Sequence, residues 1–275
     1  LLDYSAFITP VTVDLSTGLA QNIVGVVSGI ENINGGDGND TLTGSNLANV
    51  LRGGSGADVL SGLAGNDTLS GGADNDTLMG GTGNDTFYFE LNAWGVDTLI
   101  ELVGAGYDTI DLSLLDTDLD VLLGSVTVTN GANTAIHTGT FIEKVIVGSG
   151  DDTFTVTGNQ SMNLDGGPGD DKFVFENGAT LTGTLSGSGG TDALSFAPYA
   201  SGRSVTLTGL GAIDGFAGTA TGITGSFRNI NTLIGSAAAD TLTGTNATGH
   251  WNLNTRHCTY TSSNTLAFSG FENLK

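Results

Sequence analysis

The sequence contains one cysteine, three prolines and seven basic residues in 275. A lone thiol, Cys258, excludes an internal disulfide framework and reads as a small, inert buried residue. Seven Lys and Arg against 29 Asp and Glu leave a net charge of -22. That balance argues against nucleic acid, whose phosphates need basic side chains, and against anionic membrane surfaces. No apolar run approaches the roughly 20 residues that span a bilayer, so no membrane insertion is expected. Aromatic residues make up only 7% and apolar residues 38%, which is little for a conventional core. The chain begins Leu1-Leu2-Asp3, with neither Met nor a basic segment. It therefore reads as an excerpt of something longer, with no secretory signal peptide at its start.

What is abundant is glycine, 45 residues of it. So much glycine costs chain entropy and buries little, so something other than a large core must hold the fold. A disordered acidic polymer is the competing reading. Against it stand the scarcity of proline and a strict periodicity. From Gly35 to Tyr88 the chain falls into six blocks of nine: GGDGNDTLT, GSNLANVLR, GGSGADVLS, GLAGNDTLS, GGADNDTLM and GGTGNDTFY. Position one is always Gly. Position eight is always large and apolar: Leu42, Leu51, Leu60, Leu69, Leu78, Phe87. Position six is Asp40, Asp58, Asp67, Asp76 and Asp85, with Asn49 in the second block.

Each block makes sense as half a coil. Six residues turn, and three form a short strand whose middle side chain points inward. Two blocks complete an 18-residue coil, and coils stack about 4.8 Å apart. The fold class expected is all-β: a right-handed parallel β-roll or β-solenoid with glycine-rich turns and irregular β insertions.

The pattern GGxGxDxUx, with U large and apolar, resembles the RTX or haemolysin-type calcium-binding repeat. The resemblance implies several Ca2+ ions bridging stacked turns. Calcium takes about six to eight oxygen ligands, more than one turn supplies. By that resemblance one turn gives the carbonyls of positions two and four plus its Asp. The turn above gives the carbonyls of positions one and three plus its Asp. Carried onto this chain, the first cage is Gly36, Gly38 and Asp40 with Gly53, Ser55 and Asp58. The next is Gly54, Gly56 and Asp58 with Gly71, Ala73 and Asp76. On the opposite side, Leu63, Gly65 and Asp67 pair with Gly80, Thr82 and Asp85. A further set there needs Ser45, Leu47 and Asn49 with Gly62, Ala64 and Asp67. It lacks one carboxylate and two glycines.

Weaker copies follow. Residues 147–155 (VGSGDDTFT) and 166–174 (GGPGDDKFV) would place Gly148, Gly150 and Asp152 over Gly166, Pro168 and Asp171. Joining Asp171 to Asp192 requires a bulged coil. Asp240 has no partner within the chain and would complete a site only with residues outside it. A longer unit also recurs, marked by Ile30-Glu31-Asn32-Ile33, Ile142-Glu143-Lys144-Val145, Phe227-Arg228-Asn229-Ile230 and Phe271-Glu272-Asn273-Leu274. The segments expected are 1–34, leading strands; 35–88, the six-block roll; 89–146, diverged coils and linking strands; 147–195, a second, degenerate roll; 196–234, linking strands; and 235–275, a third, degenerate roll with a terminal strand. Residues 11–15, 126–129, 140–147 and 204–208 read as strands. Residues 95–101 and 106–113 read as diverged coils, and a short helix is expected over 111–123.

No GxSxG, HExxH or Walker motif occurs, and no helix follows the GxGxD stretches as a dinucleotide loop would require. His250, His257 and Cys258 do not have zinc-site spacing. Trp94, Trp251 and Tyr260 could stack on sugars, but core positions suit them better. No enzyme activity is expected. The resemblance implies an extracellular or cell-surface module exported by bacterial type I secretion, as part of a large adhesin or surface-layer protein. Its partners would be calcium and either other copies of itself or a cell-surface or glycan ligand. The alternative is the accessory roll of a secreted protease, lipase or epimerase; a catalytic domain elsewhere in the gene would favour it.

Overall fold

A computed structural model describes residues 1–90, 93–101, 106–137, 141–245, 249–253 and 258–275. It divides into two compact units, residues 1–115 with 125–145, and residues 116–124 with 146–275. Both are all-β, and no helix occurs among the described residues.

In the first unit the apolar residue at position eight sets the stacking. Leu42 pairs with Leu60 and Leu60 with Leu78, in register, through parallel strands Thr41–Thr43, Val59–Ala64 and Thr77–Thr82. Ile33, Leu51, Leu69 and Phe87 form the matching column on the other sheet. All of these side chains are fully buried. Each contributes on the order of 1.5–3 kcal/mol by leaving water, so a one-residue slip, which would turn them outward, is strongly disfavoured. The stacking continues past Tyr88: Leu78 pairs with Leu99, and Phe87 with Ile110.

The strands are longer than the block pattern predicts. Val50–Ser55, Val59–Ala64, Thr68–Ala73 and Thr77–Thr82 each cover six residues. Positions one to three of the following block stay extended and pair too, as Gly54 does with Gly72 and Leu63 with Gly81. The turn proper is confined to positions four to six.

The second unit repeats the plan with larger side chains. Val121, Phe154, Phe173, Leu194, Leu233 and Phe268 form one parallel column. Phe154 and Phe173 stack with centroids 4.7 Å apart. Antiparallel excursions interrupt the coils. One is the meander Ser204–Leu210, Phe216–Ala220 and Ile223–Ile230, whose last strand returns to pair in parallel with Thr184–Ser186. In the first unit the hairpin of Val126–Thr129 with Thr134–His137 has the same character.

The helix expected over 111–123 is absent. Leu112, Leu115 and Leu119 are buried at a helix-like spacing, but Asp120–Leu123 is a strand that buries alternate residues. Its parallel pairing with Thr153–Val156 wins over the local pattern. Of the strand expected over 140–147, Thr140 lies outside the described residues and Lys144–Ile146 is extended.

Candidate metal centre

The turns begin from backbone conformation. In blocks three to six, positions two and four all have positive φ: Gly54 and Gly56, Leu63 and Gly65, Gly72 and Asp74, Gly81 and Gly83. The same holds at Gly167 and Gly169, and at Ser188 and Gly190. Glycine suits these positions because an L side chain there is strained. A Cβ at Gly54 would also press on the Gly36 carbonyl oxygen one coil below, and one at Gly56 on that of Gly38.

This alternation brings each Asp of position six into a column of carboxylates. One oxygen of each accepts the backbone N–H of the equivalent residue one coil earlier. Asp40 N–H donates to Asp58 Oδ1 at 2.7 Å, Asp58 N–H to Asp76 Oδ1 at 2.8 Å and Asp76 N–H to Asp97 Oδ1 at 2.9 Å. On the other row, Asn49 N–H donates to Asp67 at 2.7 Å, Asp67 to Asp85 at 2.8 Å and Asp85 to Asp108 at 2.8 Å. In the second unit Leu119, Asp152 and Asp171 donate in the same way to Asp152, Asp171 and Asp192. A neighbouring column, from position five, is bonded in the opposite sense, the later coil donating to the earlier: Ala57 N–H donates to Asn39 Oδ1 at 3.1 Å and Asn84 N–H to Asn66 Oδ1 at 2.9 Å.

The second carboxylate oxygen is the informative one. In Asp58, Asp67, Asp76, Asp85, Asp97, Asp152, Asp171 and Asp192, Oδ2 is buried without a hydrogen-bond partner. Such an atom is costly unless something pairs with it. In Asp58, Asp67, Asp76, Asp85, Asp171 and Asp192 it points over the position-one glycine of its own block. A Cβ at Gly53 would meet Asp58 Oδ2 and the Gly71 carbonyl oxygen; one at Gly62 would meet Asp67 Oδ2 and the Gly80 carbonyl oxygen at 2.6 Å. Glycine therefore keeps open a small space lined by oxygens from two successive coils. An oxygen-only donor set holding buried, unpaired carboxylate oxygens fits a hard cation such as calcium.

The electrostatics agree. Burial pushes the Asp58 carboxyl up to about 8; the backbone hydrogen bond from Asp40 opposes this, and the Asp76 and Asp40 charges add to it. Burial likewise raises Asp97 and Asp171 to about 8, Asp152 and Asp192 to about 7, and Asp67 and Asp76 to about 6. These are groups that a bound cation would stabilise in their charged form.

The structure places the residues of the three cages read from the regular blocks on adjacent coils, but the first-block turn, the Asn49 turn and the turn at 147–155 depart from the regular geometry. In the first block Gly36 and Gly38 lie outside the positive-φ set, and Gly36 N–H donates to Asp40 Oδ2 at 2.8 Å, so that oxygen is already engaged. Gly36 and Gly38 stack on residues 4–10, a non-repeat segment. At Asn49, Oδ1 accepts from Ser45 N–H at 2.6 Å, and Nδ2 donates to the Glu31 carbonyl at 3.0 Å. Ser45 and Leu47 do not adopt positive φ. Position one of the block at 147–155 is Val147, so a real Cβ stands where other blocks leave room, beside Gly148, Gly150 and Asp152. Pro168 bridges in parallel to Gly189, and the 21-residue step from Asp171 to Asp192 is accommodated, with Asp171 N–H to Asp192 Oδ1 at 3.0 Å. Asp240 does find a partner inside the chain, its N–H donating to Glu272 Oε2 at 2.8 Å.

Sequence reasoning left out Asp97 and Asp108, which continue the two columns. The tripeptide Asp-Thr-apolar, shared by Asp97-Thr98-Leu99 and Asp108-Thr109-Ile110 with the regular blocks, was the available signal. The recurring Ile-Glu motif is a variant of the same slot. Glu143 Oε2 accepts the Asp108 N–H at 2.7 Å, as the Asp of a further coil would. The third copy is Ile230-Asn231-Thr232-Leu233, three residues beyond the alignment from sequence: Asn231 Oδ1 accepts the Asp192 N–H at 3.1 Å, and Leu233 enters the apolar column. Trp94 and Tyr260 are buried, as core residues. Cys258 is only half-buried, and His257 lies outside the described residues.

The model of the RTX calcium-binding nonapeptide repeat matches residues 27–60, 52–87 and 228–247. No curated protein matches the chain. Among solved structures, the extracellular lipase LipA from Serratia marcescens is similar at 14% identity and a TM-score of 0.26, over 86% of this chain and 38% of that one. The chain thus spans well under half of the lipase's length. The chain carries RTX calcium-binding nonapeptide repeats over residues 27–87 and 228–247, within an all-β fold of two parallel-dominated sheets of the β-roll type.

Proposed function

We propose that this chain is an extracellular, non-catalytic module of a large surface-attached protein of adhesin or surface-layer type, whose rolls are held in shape by several calcium ions. One observation carries the reading: a column of buried aspartates in which one oxygen is bonded to the next coil and the other has no partner. Calcium, when bound, supplies the positive charge and the demand for oxygen ligands that such a column lacks. The chain supplies the rest. Asp58, Asp67, Asp76 and Asp85 present the carboxylates, the position-one carbonyls of Gly71 and Gly80 face the spaces at Gly53 and Gly62, and glycine at position one keeps them open. The net charge of -22 makes compaction self-repelling until cations are held. Binding free energy is then folding free energy, and an extracellular module of this type works at about 10⁻⁴–10⁻³ M calcium. The same linkage supports export as an unfolded chain, by a type I route, and folding outside the cell. Other copies of the chain or a surface glycan are the partners proposed.

Circular dichroism titrated with calcium and then with chelator tests this. The expected result is a β-rich spectrum that appears with calcium and is lost on chelation. A chain that keeps its β signal after exhaustive chelation at neutral pH would overturn it.

A further inference from the structure

The first roll ends on a group that differs from its repeat cages. Asp85, Glu101 and Asp108 are all buried, and one carboxylate oxygen from each lies within 4.8 Å of the others. The strand register explains how Glu101 arrives there. Ser61 pairs with Met79, which sets Gly80 above Gly62; Met79 pairs with Ile100, which sets Glu101 above Gly80. Glu101 therefore occupies the position-one slot that glycine holds in every block from 35 to 88. At Gly62 the space is faced by Asp67 Oδ2 and the carbonyl oxygen of Gly80. At Gly80 the equivalent space is faced by Asp85 Oδ2, 2.7 Å from where a Cβ would stand, and by Glu101 Oε1. A carboxylate has replaced a neutral carbonyl.

Two further observations bear on what this group holds. Asp85 is fully buried, and its Oδ2 has no hydrogen-bond partner while facing that space. The third carboxylate is fixed in place: Asp108 Oδ1 accepts the Asp85 N–H at 2.8 Å, and Asp108 N–H donates to Glu143 Oε2 at 2.7 Å.

We propose that Asp85, Glu101 and Asp108 form a distinct cation centre closing the first roll, with one more carboxylate than a repeat cage and a correspondingly higher affinity, most of all for trivalent cations. The proposal rests on the calcium reading above and adds a ligand, Glu101, that lies outside the nonapeptide pattern. A third negative charge at ligand distance strengthens cation binding, and more so as cation charge rises.

Terbium(III) luminescence of the full chain, sensitised by its own tyrosines and tryptophans, reads the centre directly. One equivalent is expected to bind ahead of the rest. Glu101→Gln should weaken that phase at least about tenfold and leave the later phases in place. Asp58→Asn, in the opposite row of turns, should spare the first phase and alter the later ones. Glu101→Asp, which keeps the charge but withdraws the oxygen by one methylene, should fold with calcium and fall between wild type and Glu101→Gln. It gives the same reading if the amide variant does not fold. A first phase unchanged in both Glu101 variants, with Asp58→Asn still altering later phases, would overturn this centre and leave the calcium reading intact. Absence of terbium and calcium binding in the wild-type chain would overturn both.

Discussion

Asp58→Asn should shift stability in opposite directions with and without calcium. Asp58 Oδ1 accepts the Asp40 N–H at 2.7 Å, a bond the amide oxygen of the variant can keep. Its Oδ2 is buried without a partner. Burial first, then the neighbouring Asp76 and Asp40 charges, lift its carboxyl from 3.8 to about 8. Each pH unit of displacement corresponds to about 1.4 kcal/mol between the two protonation states. After allowance for local relaxation and water, the ionised group costs the metal-free fold on the order of 2–4 kcal/mol at pH 8. The amide removes that cost. With calcium the same substitution deletes a charged ligand from the two cages that share Asp58, weakening each at least about tenfold. The assay is circular dichroism in two series. In chelator, folding is driven by trimethylamine oxide, and the variant should need less of it. In calcium, the variant should need more calcium to reach its midpoint. If it is destabilised in both series, Asp58 acts as a packing residue and the cation argument for that turn fails.

The pH dependence of the metal-free chain follows from the same groups. Asp58, Asp97 and Asp171 at about 8, Asp152 and Asp192 at about 7, and Asp67 and Asp76 at about 6 all lie above the ordinary value of 3.8. The folded form therefore binds more protons than the unfolded one between about pH 4 and 8, so stability is highest at the acid end and is lost as pH rises through 6 to 8. In chelator the β signal should be stronger at pH 5 than at pH 8, and a signal that grows with pH would contradict the sign. A third test is Leu63→Gly. Leu63 sits at φ 75° in a slot that glycine fills in other blocks, and its side chain is 37% exposed. Relief of roughly 1–2 kcal/mol of left-handed strain outweighs glycine's extra chain entropy of about 0.5–1 kcal/mol, so calcium-loaded thermal melts should move up by a few degrees. A fall in melting temperature would show that the Leu63 side chain packs against something that matters.

The coil and its column of aspartates were readable because two signals shared one period. Position eight had to be apolar to fill the interior, and position six had to be Asp to reach across one coil. Both recur every 18 residues, which is also the offset of the Asp40 to Asp58 bond. Strand length was not readable, because Gly-Gly pairs look like turns; here Gly53 and Gly54 lie in Val50–Ser55 and only the residues after them turn. Turn quality was not readable either. Gly36 and Gly38 carry the preferred residue at both positions, yet they stay outside the positive-φ set because a non-repeat segment lies beneath them.

The residues that escaped share a physical reason. A period search demands constant spacing, whereas stacking demands only that a strand return in register. The step from Asp76 to Asp97 is 21 residues, from Asp85 to Asp108 it is 23, and from Asp108 to Glu143 it is 35. The last interval contains the hairpin of Val126–Thr129 with Thr134–His137. The backbone ignores these detours. Val59 N–H bonds to the Asp40 carbonyl at 2.9 Å, Thr109 N–H to that of Asp85 at 2.9 Å and Lys144 N–H to that of Asp108 at 3.0 Å. The slot is thus defined by main-chain hydrogen bonds, and the side chain that fills it can change. Glu31, Glu143, Asn231 and Glu272 each stand where a regular block has Asp: the strand residue after Glu31 pairs with Val50, and the other three accept the N–H of Asp108, Asp192 and Asp240. An oxygen-bearing side chain at these returns, rather than an exact nonapeptide, is what lets the column run on through coils that the period does not reach.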